Sequence, residues 1–142
     1  MATRKATAIW KGTIKDGNGT LKTQSGALDG KYSFAARFEE AGGTNPEELI
    51  GAASAGCFSM FLHLLLTERG YNPTKIETQA KVTIKQVGEE LGIQTILLDC
   101  KATDPEIEDA EFQKAAKEAS EKCPVSKALS AVKITLDATL EG

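Results

Sequence analysis

The sequence predicts an α+β fold in the element order βββ-α-ββ-α-β, with helices laid against one side of largely antiparallel sheets. Three observations carry this prediction. Short β-branched or aromatic segments separated by turn signals fill the first third, a long uncharged segment has helical punctuation at both ends, and the stretch after it alternates with period two. The 142 residues, 41% hydrophobic and 26% charged, suit a single globular domain over residues 1–142 and neither a disordered tail nor a fibrous repeat.

Residues 7–14, 20–25 and 32–38 read as three strands of an antiparallel meander, divided by Asp16-Gly17-Asn18-Gly19 and by Asp29-Gly30. Asn45-Pro46-Glu47-Glu48 then supplies a helix N-cap, a proline at the first helical position and acids near the positive end. That helix ends at Gly70, with Pro73 beyond it as a breaker. From Ile76, the residues Thr78, Ala80, Val82 and Ile84 face one way while Glu77, Gln79, Lys81 and Lys85 face the other. A turn at residues 88–92 returns this strand into a second one over residues 93–102. Residues 109–122 are helical, with Phe112, Ala115, Ala116 and Ala119 forming an apolar stripe. Cys123-Pro124 interrupts that pattern, a short helix over residues 125–129 follows, and an alternating strand over residues 132–140 closes the chain.

The main helix is apolar on every face, and one sheet covers only one face. Packing two such helices against each other between sheets solves the problem, so the expected assembly is an intertwined homodimer around a long buried central helix. Residues 49–67 carry no formal charge and reach the length of a membrane span, but Gly51, Ser54, Gly56, Ser59 and His63 within them favour a soluble core helix.

Seventeen Lys and Arg against 20 Asp and Glu give a net charge of −3, and the bases are scattered, which argues against nucleic-acid and membrane partners. The first residues lack an apolar targeting segment, so a cytoplasmic protein is expected. Three cysteines, Cys57, Cys100 and Cys123, are an odd number at wide spacing and point to reduced or redox-active thiols.

Each candidate for chemistry has a plain structural explanation beside it. His63, the only histidine, lies six residues after Cys57 and about 120° around the helix from it, which suits a packing residue better than a metal ligand or a catalytic base. Cys100 shares a strand face with Ile96 and Leu98 and reads as buried and inert. Cys57 sits in an apolar helix, where burial raises a thiol pKa. Cys123 precedes Pro124 at a helix start, where unpaired N–H groups favour a thiolate. Arg37 is a cation among small and apolar residues, read as a solvent-facing strand position, and Glu47 and Glu48 fit helix capping. Taken singly, these residues are suspects and not yet an enzyme.

Read together, they resemble a known family. Gly43-Thr44-Asn45-Pro46-Glu47-Glu48-Leu49-Ile50-Gly51-Ala52-Ala53 with Ala55-Gly56-Cys57-Phe58, and Cys123-Pro124-Val125-Ser126 further on, resemble the two cysteine motifs of the OsmC/Ohr thiol-dependent hydroperoxide reductases. Trp10, Gly12, Gly19-Thr20 and Arg37-Phe38 look like the OsmC branch. The resemblance spans essentially the whole chain. It implies an OsmC-like fold and a two-cysteine peroxidase without metal or other cofactor, acting on organic hydroperoxides and, less efficiently, on hydrogen peroxide. Cys57 matches the peroxidatic cysteine, Cys123 the resolving cysteine, and Arg37 with Glu47 the pair that activates Cys57. A guanidinium would counter desolvation of the thiolate and stabilise the departing alkoxide, and a bidentate carboxylate would hold it in place. Cys123 would convert the Cys57 sulfenic acid into a disulfide, which an external dithiol of lipoyl type would reduce. Phe58, Met60, Phe61 and Leu64 are the side chains expected to receive the substrate's apolar tail.

Glu47 precedes Cys57 by ten residues, about 15 Å along a continuous helix. Either the helix breaks near Gly51, or Arg37 and Glu47 complete the site of a partner chain. A non-catalytic dimeric redox-sensing or small-molecule module is the alternative to an enzyme, and a Cys/His metal site a weaker one.

Overall fold

A computed structural model describes all residues, Met1–Gly142. The backbone divides into two compact units, Met1–Leu49 and Ile50–Gly142.

The first unit holds strands β1 (Ala6–Lys11), β2 (Asn18–Thr23) and β3 (Asp29–Tyr32), paired antiparallel in that order as the meander predicts. Trp10 and Tyr32 approach across β2 with ring centroids 5.4 Å apart. Gly19 lies between them, and a Cβ there would stand 2.5 Å from the Tyr32 ring and 2.8 Å from the Trp10 ring, so only glycine fits. The first strand is shorter than predicted, because residues 13–16 form the turn that returns the chain.

A larger correction concerns residues 32–38, expected to be a strand. The strand ends at Tyr32, and Phe34–Phe38 is a helix, α1. Ser33 caps it, its hydroxyl accepting from the Ala36 N–H at 3.1 Å, and Phe34 and Phe38 stack one turn apart with centroids at 5.0 Å. Capping and an i, i+4 aromatic pair thus outweigh the strand-like composition. Arg37 therefore stands on a helix and not on a half-exposed strand.

Helix α2 (Pro46–Glu68) starts where predicted, with Asn45 Oδ1 accepting from the Glu48 N–H at 2.8 Å. It runs unbroken through Gly51, which removes the first of the two expected routes from Glu47 to Cys57. At its end Gly70, at φ +88, lets the Gly70 and Tyr71 N–H groups bond back to the Thr67 and Leu66 carbonyls at 2.9 and 3.0 Å. This is a Schellman termination, which L side chains at that φ resist.

In the second unit β4 (Lys75–Val87) and β5 (Glu90–Thr103) form a long antiparallel hairpin. Gly88 at φ +64 opens the two-residue turn, and a bulge at Thr83/Ile84 leaves Gln94 as the extra residue. β4 alternates exposed and half-buried residues over most of its length, as its period-two pattern requires. Helices α3 (Asp109–Lys122) and α4 (Pro124–Ala128) then cross back to β6 (Lys133–Glu141), which pairs with β5 in parallel. The expected antiparallel order therefore holds for every strand pair but this last one, whose helical crossover is what a parallel pair demands.

The core of this unit joins Phe58, Leu62, Leu65 and Leu66 of α2 to Ile96, Leu98, Cys100 and Ala102 of β5 and to Phe112, Ala115, Ala116 and Ala119 of α3. α2 is long and apolar enough to span a bilayer, but one stripe of it is committed to this core. The opposite stripe, Ala53, Gly56, Met60 and Leu64, lies open, Met60 at 79% exposure.

Candidate active site

Cys57 lies midway along α2, half-buried, and Cys123 is fully buried at the junction of α3 and α4. The fold of the second unit brings the two thiols near enough for Cys123 to act on the ionisation of Cys57. Cys123 is both the end of one helix and the cap of the next. Its N–H bonds to the Ala119 carbonyl at 3.1 Å, while its sulfur accepts from the Ser126 N–H at 3.4 Å and donates to Ser126 Oγ at 3.0 Å. Pro124 ends α3 because it has no N–H to continue the ladder, and it opens α4 for the same reason.

The next amide along, the Val125 N–H, lies near enough to the Cys57 sulfur to favour its ionised form. Burial pushes the Cys57 thiol above its ordinary pKa, and the adjacent Cys123 adds to the rise, while the Val125 N–H offsets part of it. The thiolate is favoured by a donor yet still short of charge compensation. Cys100 lies apart from this pair on β5, fully buried, its pKa pushed by desolvation from 9.0 to about 11. Its burial on the β5 face is as expected. His63 bonds through Nδ1 to Thr67 Oγ1 at 3.2 Å on its own helix.

The first unit supplies a second pair. Arg37 Nε donates to both carboxylate oxygens of Glu47 at 3.0 and 3.2 Å, and Nη2 donates to Oε1 at 2.7 Å. The Glu47 side chain is 8% exposed and that of Arg37 37% exposed. The guanidinium also stands 5.3 Å from the centre of the Phe38 ring. Asn45, read from sequence only as a cap, does more than cap. Its Nδ2 donates to the Ala36 carbonyl at 3.0 Å, tying the end of α1 to the start of α2 and so Arg37 to Glu47. At Gly43, φ is +107 and a Cβ would stand 2.6 Å from the Lys31 carbonyl oxygen, so both the backbone angle and the close approach require glycine. Asn45, Val125 and Ser126 are the contributors that sequence reasoning missed. Asn45 had a local signal only for its capping bond, Ser126 lies three residues after a cap position, and Val125 had none.

Phe58, expected beside a substrate tail, is fully buried in the core and unavailable. The side chains that share the Cys57 side of α2 are Met60, Phe61 and Leu64. No group of three or more His, Cys, Asp or Glu side chains is placed to hold a metal ion.

Residues 39–137 match the family described as OsmC-like protein. The chain belongs to this family. It is 46% identical over 139 residues, covering 97% of this chain and 96% of the relative, to "Peroxiredoxin OsmC" of Escherichia coli K12. It is 30% identical over 112 residues, 78% of this chain and 79% of the relative, to "Organic hydroperoxide resistance protein-like 1" of Staphylococcus saprophyticus. Among solved structures, the organic hydroperoxide resistance protein OhrB of Bacillus subtilis superimposes with a TM-score of 0.75 at 25% identity, covering 99% of this chain and 98% of that one. An OsmC-like protein of Mycoplasma pneumoniae, at 19% identity, has the same fold with a TM-score of 0.75 over 99% of both chains. The α+β fold of the OsmC-like family is thus established for this chain.

Proposed function

We propose that this protein is a two-cysteine, thiol-dependent peroxidase that reduces organic hydroperoxides to alcohols, and hydrogen peroxide less efficiently. One observation carries the reading: two thiols 66 positions apart in sequence lie near enough for the second to act on the ionisation of the first. The names of the E. coli and S. saprophyticus relatives support it.

Cys57 attacks as the thiolate on the distal peroxide oxygen, the O–O bond breaks, and the alkoxide takes up a proton to leave as the alcohol. Cys57 becomes a sulfenic acid. Cys123 then attacks that sulfur, expelling water and forming the Cys57–Cys123 disulfide, and an external dithiol of lipoyl type restores both thiols. The Arg37 guanidinium, held by Glu47, supplies the charge compensation that burial denies Cys57, and it meets the developing alkoxide.

In this reading the 142 residues act as one functional domain of a soluble, cytoplasmic homodimer. The unbroken α2, the open stripe Ala53-Gly56-Met60-Leu64, and a first unit whose buried residues are limited to Gly19, Ala36, Thr44 and Glu47 all support an intimate second copy. Arg37 and Glu47 then complete the partner's site in trans. Steady-state turnover of an alkyl hydroperoxide, compared between dihydrolipoamide and monothiols, tests the activity. Sustained consumption with the dithiol is expected, and its absence would contradict the reading.

A further inference from the structure

The peroxidase reading uses Cys123 as a nucleophile but leaves open how a fully buried thiol is aimed and made ready. Its sulfur makes two contacts with one residue, the Ser126 N–H at 3.4 Å and the Ser126 hydroxyl at 3.0 Å. Ser126 is itself 3% exposed, and it lines a cleft of about 590 Å³ together with Lys117, Ser120 and Glu121 and with apolar Val132, Ile134 and Leu136. A hydroxyl is donor and acceptor at once, so it can serve both protonation states of a neighbouring sulfur by rotating its hydrogen. The N–H can only donate, and therefore favours the ionised state.

We propose that Ser126 is the positioning residue of the resolving step, accepting the Cys123 thiol hydrogen at rest and donating to the sulfur as the thiol ionises. The proposal rests on the two-cysteine reading. In that step the Cys123 sulfur pair forms the S–S bond, the S–O bond of the Cys57 sulfenic acid breaks, and the thiol proton leaves with the hydroxide as water. The sulfenic sulfur is reduced and the Cys123 thiol oxidised, so no further reactant is needed. Two contacts from one residue fix the Cys123 side-chain rotamer, and the hydroxyl stands between the buried thiol and the cleft.

The test compares Ser126→Ala and Ser126→Thr with wild type after one equivalent of an alkyl hydroperoxide. Peroxide loss reports the Cys57 step, and disulfide formation against trapped sulfenic acid reports the Cys123 step. Ser126→Ala is expected to keep the first rate and slow the second about tenfold, with more over-oxidised Cys57, and Ser126→Thr to recover most of the loss. Resolution unchanged in Ser126→Ala, both steps slowed alike, or Ser126→Thr as slow as Ser126→Ala would overturn the proposal.

A second readout does not depend on peroxidase activity. In a Cys57→Ser, Cys100→Ala background Cys123 is the only thiol, and its rate of exchange with a small aromatic disulfide at fixed pH reads its readiness alone. Adding Ser126→Ala should slow that exchange about tenfold, and Ser126→Thr should restore most of it. An unchanged exchange rate overturns the role of Ser126. Failure of wild type to consume peroxide refutes the peroxidase reading instead, and the exchange rate still decides on Ser126.

Discussion

Cys57, Cys100 and Cys123 have the same side chain in three environments, and their expected behaviour differs accordingly. Cys57→Ser should abolish peroxide reduction, whereas Cys123→Ser should consume about one equivalent and then accumulate sulfenic or over-oxidised Cys57, measured by mass spectrometry. Cys100→Ala should leave turnover unchanged. Cys100 also makes a prediction about pH. Its folded pKa is raised from 9.0 to about 11, so the folded chain keeps a proton that the unfolded chain releases. Its contribution to stability is complete below pH 9 and is lost at about 1.4 kcal/mol per pH unit as pH rises toward the folded value. Denaturant melts between pH 8 and 11 should show that decline, and Cys100→Ala should flatten it; an equal decline in the variant would contradict the assignment. Arg37→Lys retains the charge but not the two-nitrogen grip on Glu47. We expect a loss of roughly 100-fold in kcat/KM, since a point charge cannot reproduce the fork.

At the scale of elements, the ends of α2 can be tested directly. Asn45→Ala removes the cap and the tie to Ala36, and should cost about 1 kcal/mol of stability with an additional fall in kcat/KM that Gly70→Ala does not share. Gly70→Ala should also cost about 1 kcal/mol, through the positive φ alone. Thermal melts paired with kinetics separate the two. The strongly periodic elements were legible in the sequence because one face of each meets the same core: Phe112, Ala115, Ala116 and Ala119 are all fully buried, and β4 alternates as its residues do. Residues 32–38 were not. Phe34 and Phe38 are four apart, which is a helical spacing, but so short a segment offers no second repeat to outweigh its aromatic composition, and Ser33 decides the matter by capping. The further contacts of Asn45 and Ser126 also escaped, the first because it reaches nine residues back to Ala36 and the second because the partner is a sulfur.

Whole-molecule behaviour turns on surfaces that a single chain leaves open. The first unit exposes Ile9 at 51% and Ile14 at 69%, and α2 exposes Met60 and Leu64. If a second copy covers the α2 stripe, Met60→Asp should weaken self-association by about 100-fold or more, seen by sedimentation, and should lower activity with it. A monodisperse dimer of unchanged affinity would place the interface elsewhere. Refolding Cys57→Ser together with Arg37→Ala, each inactive alone, should restore about one working site per heterodimer if Arg37 acts in trans. No recovery in confirmed heterodimers would mean that Arg37 serves its own chain. Burying roughly 100 Å² of an alkyl tail against Met60, Phe61 and Leu64 is worth about 2.5 kcal/mol, so organic hydroperoxides should exceed hydrogen peroxide in kcat/KM by well over tenfold.

If Cys57 reacts with peroxide and Cys123 resolves it, one equivalent of an alkyl hydroperoxide added to the reduced protein should yield one equivalent of alcohol. Peptide mapping by mass spectrometry should then find a major disulfide linking the Cys57 and Cys123 peptides. Intact thiols at both positions, or Cys100 in the major disulfide, would contradict it.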